Sequence, residues 1–367
     1  MTLPIPARPT DVTSAWLSAA LAAGGETVQV EDVHVVPVGT GQTGATYRVT
    51  ARYAVDPAGL PETFVIKLPV QDDAVKGGVT LGYLSEVAFY ARVADKVAVP
   101  TPRCFYADIA NEGADFALLL EDMSPAVQGD QIVGSTPEQA RLAVTALAGL
   151  HGPSWCDPTL LDLAEVAMPK PGDEPAITGL GDIARMAVDM TLEKLDPHID
   201  AADRETATAA MNVVTPWLLA ERDRYSLMHG DYRLDNLLYD PQSTRVTVVD
   251  WQTMGVGLPA RDLAYFTATS LQPELRAAIE EQLVDDYHRS LLDYGVTDYD
   301  RETCWRDYRL GMLQAPLITT LGCAFASSTE RGNAMMMMVV MLQRGCQAIR
   351  ELKTLELIEE IAGHRAS

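Results

Sequence analysis

The sequence predicts an α+β fold in two unequal parts: a small, β-rich part at residues 1–122 and a larger, mostly helical part at 123–367. Two observations predict it. Up to Asp122, short runs alternate β-branched or aromatic residues with polar ones and are broken by Gly/Pro turns. Beyond it, long stretches repeat apolar residues every three or four positions, the period of a helix with one buried face. With 367 residues, 47% hydrophobic and 22% charged, the chain has ordinary globular composition and is long enough for two lobes sharing a cleft.

Taken in order, SAWLSAALAAGG (14–25) is helix-like and ends on paired glycines. VQVEDVHVVPV (28–38) and ATYRVTARYAV (45–55) read as strands, and PAGLP (57–61) turns the chain into a third, TFVIKLP (63–69). In LGYLSEVAFYARVAD (81–95), Leu81, Leu84, Val87 with Ala88, and Ala91 share one helical face. VPTPR (99–103) ends that helix. CFYADI (104–109) and FALLLED (116–122) complete an expected five-stranded antiparallel sheet with one main helix. Helical stretches then follow at 136–152, where Thr-Pro supplies an N-cap and a first-turn proline, at 203–224, at 274–295 and beyond 303.

The formal net charge of −23, from 51 acidic and 28 basic residues, repels phosphate-rich polymers, and no Lys/Arg-rich run opposes it. Nucleic acid is therefore not expected as a partner. The five cysteines (Cys104, Cys156, Cys304, Cys323, Cys346) are odd in number and scattered, with no C-x-x-C, and read as buried thiols of a reducing compartment. The start, MTLPIPARPTDVTSAW, has no apolar signal core. The most apolar run, LGMLQAPLITTLGCAFA (310–326), falls short of the ~20 residues of a bilayer span and carries a Pro and a Gln. A cytoplasmic protein with no membrane partner is the expectation.

The chemistry concentrates in HGDYRLDNLLYD (229–240), where two carboxylates and an amide fall within six positions, followed at once by Leu237 and Leu238. Phosphoryl transfer from ATP needs a carboxylate to orient and deprotonate the attacking hydroxyl, and oxygen ligands for a Mg2+ that bridges the phosphates. Asp231 suits the base, and Asn236, five residues on, suits the metal through its amide oxygen. Arg233 between them suits the charge developing on the transferred phosphoryl group. STRVTVVDWQ then gives a strand-like run ending at Asp250, fourteen residues after Asn236 and the natural second metal ligand. Asp235 is expected to bond backbone within the loop.

Three upstream features fit the same reaction. GTGQTG (Gly39, Thr40, Gly41, Gln42, Gly44) lies between strand-like flanks, so it caps a hairpin, and its glycines let backbone N–H groups approach phosphate oxygens. A Gly-rich hairpin turn with no ligand explains the loop equally well. Lys67 is the only charge inside the apolar strand FVIKLP, and Glu86 is the only acid in its helix before Asp95. A solvent-facing strand lysine is the plain alternative. A Lys67–Glu86 pair, with the lysine reaching the α/β-phosphates, accounts for both residues.

Together GTGQTG, VIK with Lys67, Glu86, LLLEDM, HGDYRLDN and VVDWQ, with DLAYF (262–266) behind them, make residues 30–270 resemble the protein-kinase-like fold of the aminoglycoside phosphotransferase and choline/ecdysteroid-kinase-like group. The resemblance implies a bilobal α+β architecture, ATP as donor, Asp231 as base and Asn236 with Asp250 as Mg2+ ligands. It also implies an interlobe hinge at LLLEDM, with adenine held by backbone near Glu121 and Met123. Two departures from protein kinases point to a small-molecule hydroxyl acceptor. Gly230 stands where those enzymes usually have Arg, and only eleven residues separate Asp250 from Asp262, too few for an activation segment. Asp262 is expected to anchor the catalytic loop, and His151 to hydrogen-bond within the core. MMMMVVML (335–342) reads as core packing first, and as a lean toward an apolar acceptor second. Asp285, Asp286 and Asp293 suit an aminoglycoside-type acceptor instead. A silent nucleotide-binding scaffold and a dinucleotide-binding dehydrogenase are the alternatives from other classes. The first is opposed by the presence of every essential side chain, the second by the lack of a helix after the glycine loop.

Overall fold

The computed structural model describes residues 3–38, 45–57, 59–70, 73–325 and 332–366. It divides into two compact units. Met1–Lys96, Thr101–Pro125 and Val249–Thr253 make the first, and Val97–Pro100, Ala126–Val248 and Met254–Ser367 the second.

The first unit carries helix α1 (Ser14–Ala23), strands β1 (Val30–Pro37), β2 (Ala45–Tyr53) and β3 (Thr63–Leu68), helix α2 (Asp73–Arg92), and strands β4 (Cys104–Ala110) and β5 (Asp115–Glu121). The strands form one sheet in the order β1-β2-β3-β5-β4, every neighbour antiparallel. This is the sheet of the protein-kinase-like fold. It excludes the parallel βαβ unit that a dinucleotide-binding dehydrogenase requires.

Burial follows from the alternation. Phe64, Ile66 and Leu68 of β3 point to one face, with Ala117 and Leu119 of β5, and are fully buried with Trp16, Leu17, Ala20 and Leu21 of α1. Burying each large side chain contributes roughly 1.5–3 kcal/mol. On the other face Phe116 stacks on Tyr83 of α2, centroids 4.2 Å apart. The unbroken FALLL of β5 is therefore the pattern of a strand covered on both faces. The period-two rule also puts Lys67 on the face opposite Ile66 and Leu68.

The second unit holds β6 (Val127–Gln128), β8 (Leu237–Tyr239) and β9 (Val246–Val248) in one small antiparallel sheet, and β7 (Ser226–Met228) paired with β10 (Gly255–Gly257) in another. Around them run α3 (Pro137–His151), α4 (Glu174–Leu195), α5 (Ala201–Asn212), α6 (Val214–Ala220), α7 (Ala260–Ser270), α8 (Pro273–Asp293), α9 (Arg301–Gly311), α10 (Gln314–Phe325), α11 (Asn333–Leu352) and α12 (Thr354–Ala366). Helix α3 starts on a capping box, Thr136 Oγ1 accepting from Gln139 N and Gln139 Oε1 from Thr136 N, both 3.2 Å. Helix α7 is buried at every residue. Gly311 lets α9 cross it closely: a Cβ there would sit 2.7 Å from Ala260 O.

Three elements differ from expectation. Helix α2 begins at Asp73 rather than 81; the poor helix formers Gly77 and Gly78 hide its first turns in the sequence. The single helix expected over 203–224 is two, α5 and α6. Pro216 has no N–H to donate to Asn212 O, so the first helix ends there. Helix α4 was not anticipated. Its exposed Ile183, Met186 and Met190 alternate with buried Ala184, Val188 and Leu192 and blur the apolar stripe. Of the cysteines, Cys304, Cys323 and Cys346 are buried as expected, while Cys104 and Cys156 are only half-buried. No helix among the described residues is long and apolar enough to cross a membrane.

Candidate active site

In the first unit, Lys67 Nζ lies 2.5 Å from Glu86 Oε1 and 3.4 Å from Asp250 Oδ1. The strand face set by the alternation delivers the lysine, and α2 delivers the glutamate. Gln252 Nε2 reaches Glu86 Oε2 at 3.4 Å, and Gly82 admits that side chain, because a Cβ there would come within 3.2 Å of Gln252 Cβ. Trp251 stacks on Phe89 of α2, centroids 3.6 Å apart and planes 5° from parallel. Asp250 is held between these anchors in a left-handed conformation (φ 68°), uncommon for a side-chain-bearing residue. Burial opposes the Lys67 charge, but Asp250 and Glu86 outweigh it and raise its pKa, so the ammonium is kept.

Glu86 is fully buried, which gives a stability prediction. Lys67→Ala leaves that carboxylate without its cation and is expected to lower unfolding free energy by about 3 kcal/mol. Adding Glu86→Gln should restore most of the loss in urea titrations.

In the second unit, β7 leads into the loop 229–236, and α7 holds it from the core. Asp262 accepts from His229 N at 2.6 Å and from Gly230 N at 3.0 Å, the anchoring role expected of it. Asp231 is held on both oxygens: Tyr265 O–H donates to Oδ1 at 2.6 Å, and Arg233 Nε (2.9 Å) and Asn236 Nδ2 (3.1 Å) donate to Oδ2. Asn236 Nδ2 also donates to Asp231 O at 2.8 Å, which leaves Oδ1 as the amide's acceptor atom. Arg233 Nη1 pairs with Asp235 and approaches Met337 Sδ at 3.0 Å. The Asp235 carboxylate thus binds a guanidinium rather than loop backbone. It is the Asp235 carbonyl that takes the backbone-type bond, from Gln128 Nε2 at 2.6 Å.

Behind the loop, Gln131 Oε1 accepts from Leu234 N at 2.9 Å and its Nε2 donates to Thr269 O at 2.8 Å. Buried Arg344 of α11 braces that turn by donating to Gln131 O, Thr269 O and Ile132 O. His151 bonds Tyr287 O–H through Nδ1 at 2.7 Å and faces Asp262 through Nε2 at 3.4 Å, a core role rather than a catalytic one. Burial lowers the His151 pKa, with Asp262 acting the other way. The unfolded chain then binds more protons than the folded one below about pH 6.5. Stability is expected to fall as pH drops through that range, and less steeply in His151→Gln, read from denaturant midpoints against pH.

The structure therefore brings Lys67, Glu86 and Asp250 together in one unit, and Asp231, Arg233 and Asn236 in the other. Gly39, Thr40, Gly41, Gln42 and Gly44 lie outside the described residues. Glu121 ends β5, and its N–H is taken by Arg103 O at 2.8 Å, so that donor is not open to a ligand. Tyr265, Gln131 and Arg344 escaped the sequence reading. Only Tyr265 carried a signal, three residues after Asp262 and so on the same helical face. Among the described residues no group of three or more His, Cys, Asp or Glu is placed to hold a metal. Asn236 in one unit and Asp250 in the other each carry a side-chain oxygen of the kind that a hard cation such as Mg2+ takes.

A model of the family described as "phosphotransferase enzyme family" matches residues 34–302. Over 177 residues the chain is 28% identical to acyl-CoA dehydrogenase family member 11 of Gallus gallus, a match covering 46% of this chain and 20% of that protein. The chain thus spans only about a fifth of that curated relative. A choline/ethanolamine kinase family protein from Mesorhizobium loti superposes with a TM-score of 0.52 at 16% identity, covering 97% of this chain and 99% of that one. A choline kinase from Cryptosporidium parvum Iowa II does so with a TM-score of 0.53 at 11% identity, covering 89% and 91%. At these identities the likeness concerns the fold.

Proposed function

The chain belongs to the phosphotransferase enzyme family, and on that premise we propose that it is an ATP- and Mg2+-dependent kinase that transfers the γ-phosphate to a hydroxyl of a small molecule. The observation that carries this reading is the Lys67 ammonium held between buried Glu86 and half-exposed Asp250. A buried Lys–carboxylate pair beside a strained, partly exposed aspartate gains little as packing. It makes sense as a seat for phosphate and a cation.

In this reading Asn236 and Asp250 would hold Mg2+, which would supply positive charge to offset that of the phosphate oxygens. Lys67 pairs with the α/β-phosphates and Glu86 fixes its position. The glycine loop GTGQTG, outside the described residues, keeps its expected part as the phosphate-binding segment, and backbone at Glu121 and Met123 takes adenine. Asp231 accepts the proton of the acceptor hydroxyl, and Arg233 offsets charge on the transferring group.

The acceptor is an alcohol with an apolar body. Met337 Sδ lies against Arg233, and Met336 of the same helix is exposed, which supports an apolar surface beside the catalytic loop. An aminoglycoside-type acceptor finds less support. Asp285 is paired with Arg301, and Asp286 with Arg289 and Arg141, so these acids are already partnered by arginines. The dehydrogenase in the name of the curated relative belongs to a much longer protein and is not carried over.

The test is a phosphorylation screen of hydroxylated metabolites with Mg·ATP and mass-shift detection. Phosphorylated apolar alcohols support the reading. Phosphorylation confined to polycationic sugars replaces the acceptor class, and nucleotide binding without turnover on any compound supports the silent-scaffold alternative.

A further inference from the structure

We propose that Tyr265 is a positioning residue for the catalytic base: it holds Asp231 Oδ1, so that Oδ2 is the atom that takes the acceptor's proton. The inference rests on the kinase reading above and adds a residue and an atom to it.

Helix α7 has no solvent-facing residue, so a phenol on it is not free to reorient. Tyr265 is fully buried, and its hydroxyl donates to Oδ1 at 2.6 Å, a short bond of the charge-assisted kind. The phenol is kept protonated, since burial first and the Asp231 charge second push its pKa well above the ordinary value. It is a donor only.

The other oxygen is held differently. Oδ2 is met by Arg233 Nε at 2.9 Å and Asn236 Nδ2 at 3.1 Å. Arg233 is a long side chain, also engaged by Asp235 and Met337 Sδ, with several rotatable bonds by which to leave. Asn236 is the proposed metal ligand. Both of these contacts can rearrange when substrates bind, whereas the bond from the buried helix stays. Carboxylate oxygens exchange by rotation about the terminal torsion, which is broad and two-fold. A fixed donor on one of them selects which oxygen faces the acceptor.

The step then balances as follows. The acceptor O–H proton passes to Asp231 Oδ2 while the acceptor oxygen forms its bond to the γ-phosphorus. The bond from that phosphorus to the β–γ bridging oxygen breaks, and its electron pair leaves on ADP. Tyr265 contributes no proton to the transfer. It fixes the plane in which the base lies.

The test is Mg-dependent turnover of ATP by the full-length chain with an alcohol that the screen above identifies as acceptor. Tyr265→Phe removes one hydroxyl and keeps the ring. It is expected to lower kcat by up to about 100-fold, the cost of displacing a reacting group by about 1 Å, with KM for ATP and the thermal midpoint changed little. Placed on Asp231→Ala, the same substitution should have no further effect on the residual rate, because the group it positions is gone. A wild-type kcat in Tyr265→Phe overturns the proposal, as does an equal loss in both backgrounds, which would mark a purely structural role. If Tyr265→Phe unfolds at the assay temperature, the comparison is made at lower temperature, with nucleotide-dependent thermal shift confirming a folded chain. A wild-type chain that phosphorylates no compound of the screen overturns the kinase reading and this proposal with it. An active wild type with an unaffected Tyr265→Phe overturns the proposal alone.

Discussion

Asp231→Ala is expected to lower phosphoryl transfer by about 10²–10⁴-fold, the usual contribution of a positioned general base, while ATP affinity stays close to wild type. The split follows from what the carboxylate touches. Its partners are Tyr265, Arg233 and Asn236, and its proposed work is on the acceptor hydroxyl, not on the nucleotide. Loss of kcat with unchanged KM for ATP is the pattern of an interaction made only in the transition state. Steady-state kinetics at saturating acceptor measure it, with isothermal titration of Mg·ATP as the companion. A fully active variant removes Asp231 as base. A large loss of nucleotide affinity would instead mean that the side chain mainly holds the loop together.

Asp250→Ala is expected to abolish Mg-dependent strengthening of nucleotide binding and to lower turnover by at least as much as Asp231→Ala. In the proposed reading Asp250 is the charged one of two oxygen ligands, and its loss would leave a divalent cation only the neutral amide of Asn236. The substitution also takes away the second carboxylate near Lys67, while Glu86 stays. Nucleotide titrations with and without Mg2+ read the effect directly. Equal Mg·ATP affinity in variant and wild type contradicts the metal role. Because φ at Asp250 is 68°, alanine adds backbone strain, so Asp250→Asn is the better second variant: it tolerates this conformation and keeps an oxygen while losing the charge.

The parts of the molecule that were legible in the sequence are those whose physics is local. The alternation of TFVIKLP puts Lys67 off the core face without any knowledge of the neighbours. The spacing from Asp231 to Asn236 allows the amide to return to the aspartate because one short turn joins them. FALLLED was read as a strand, though its cover on both faces was not foreseen.

What was not legible depends on partners far along the chain. Gln131 reaches Leu234 across 103 residues, and Arg344 reaches Ile132 across 212. Nothing about a glutamine or an arginine in its own neighbourhood says that it will brace a loop. The division between α5 and α6 was readable in principle from Pro216, but the apolar pattern ran through it and hid the break. Helix α4 failed for the opposite reason: the apolar residues it leaves exposed removed the contrast on which amphipathic reading depends.

Helix α7 has one more consequence. The element that grips the loop backbone through Asp262 and the Asp231 carboxylate through Tyr265 is also buried at every residue. Substitutions such as Ala264 or Ala268 to larger side chains would strain the interior and disturb the reaction centre in a single event. In a random-mutagenesis survey, inactive clones from this segment would therefore cluster with poorly expressed ones. Defects of chemistry alone should come mainly from loop residues such as Arg233, whose side chain sits nearer the surface.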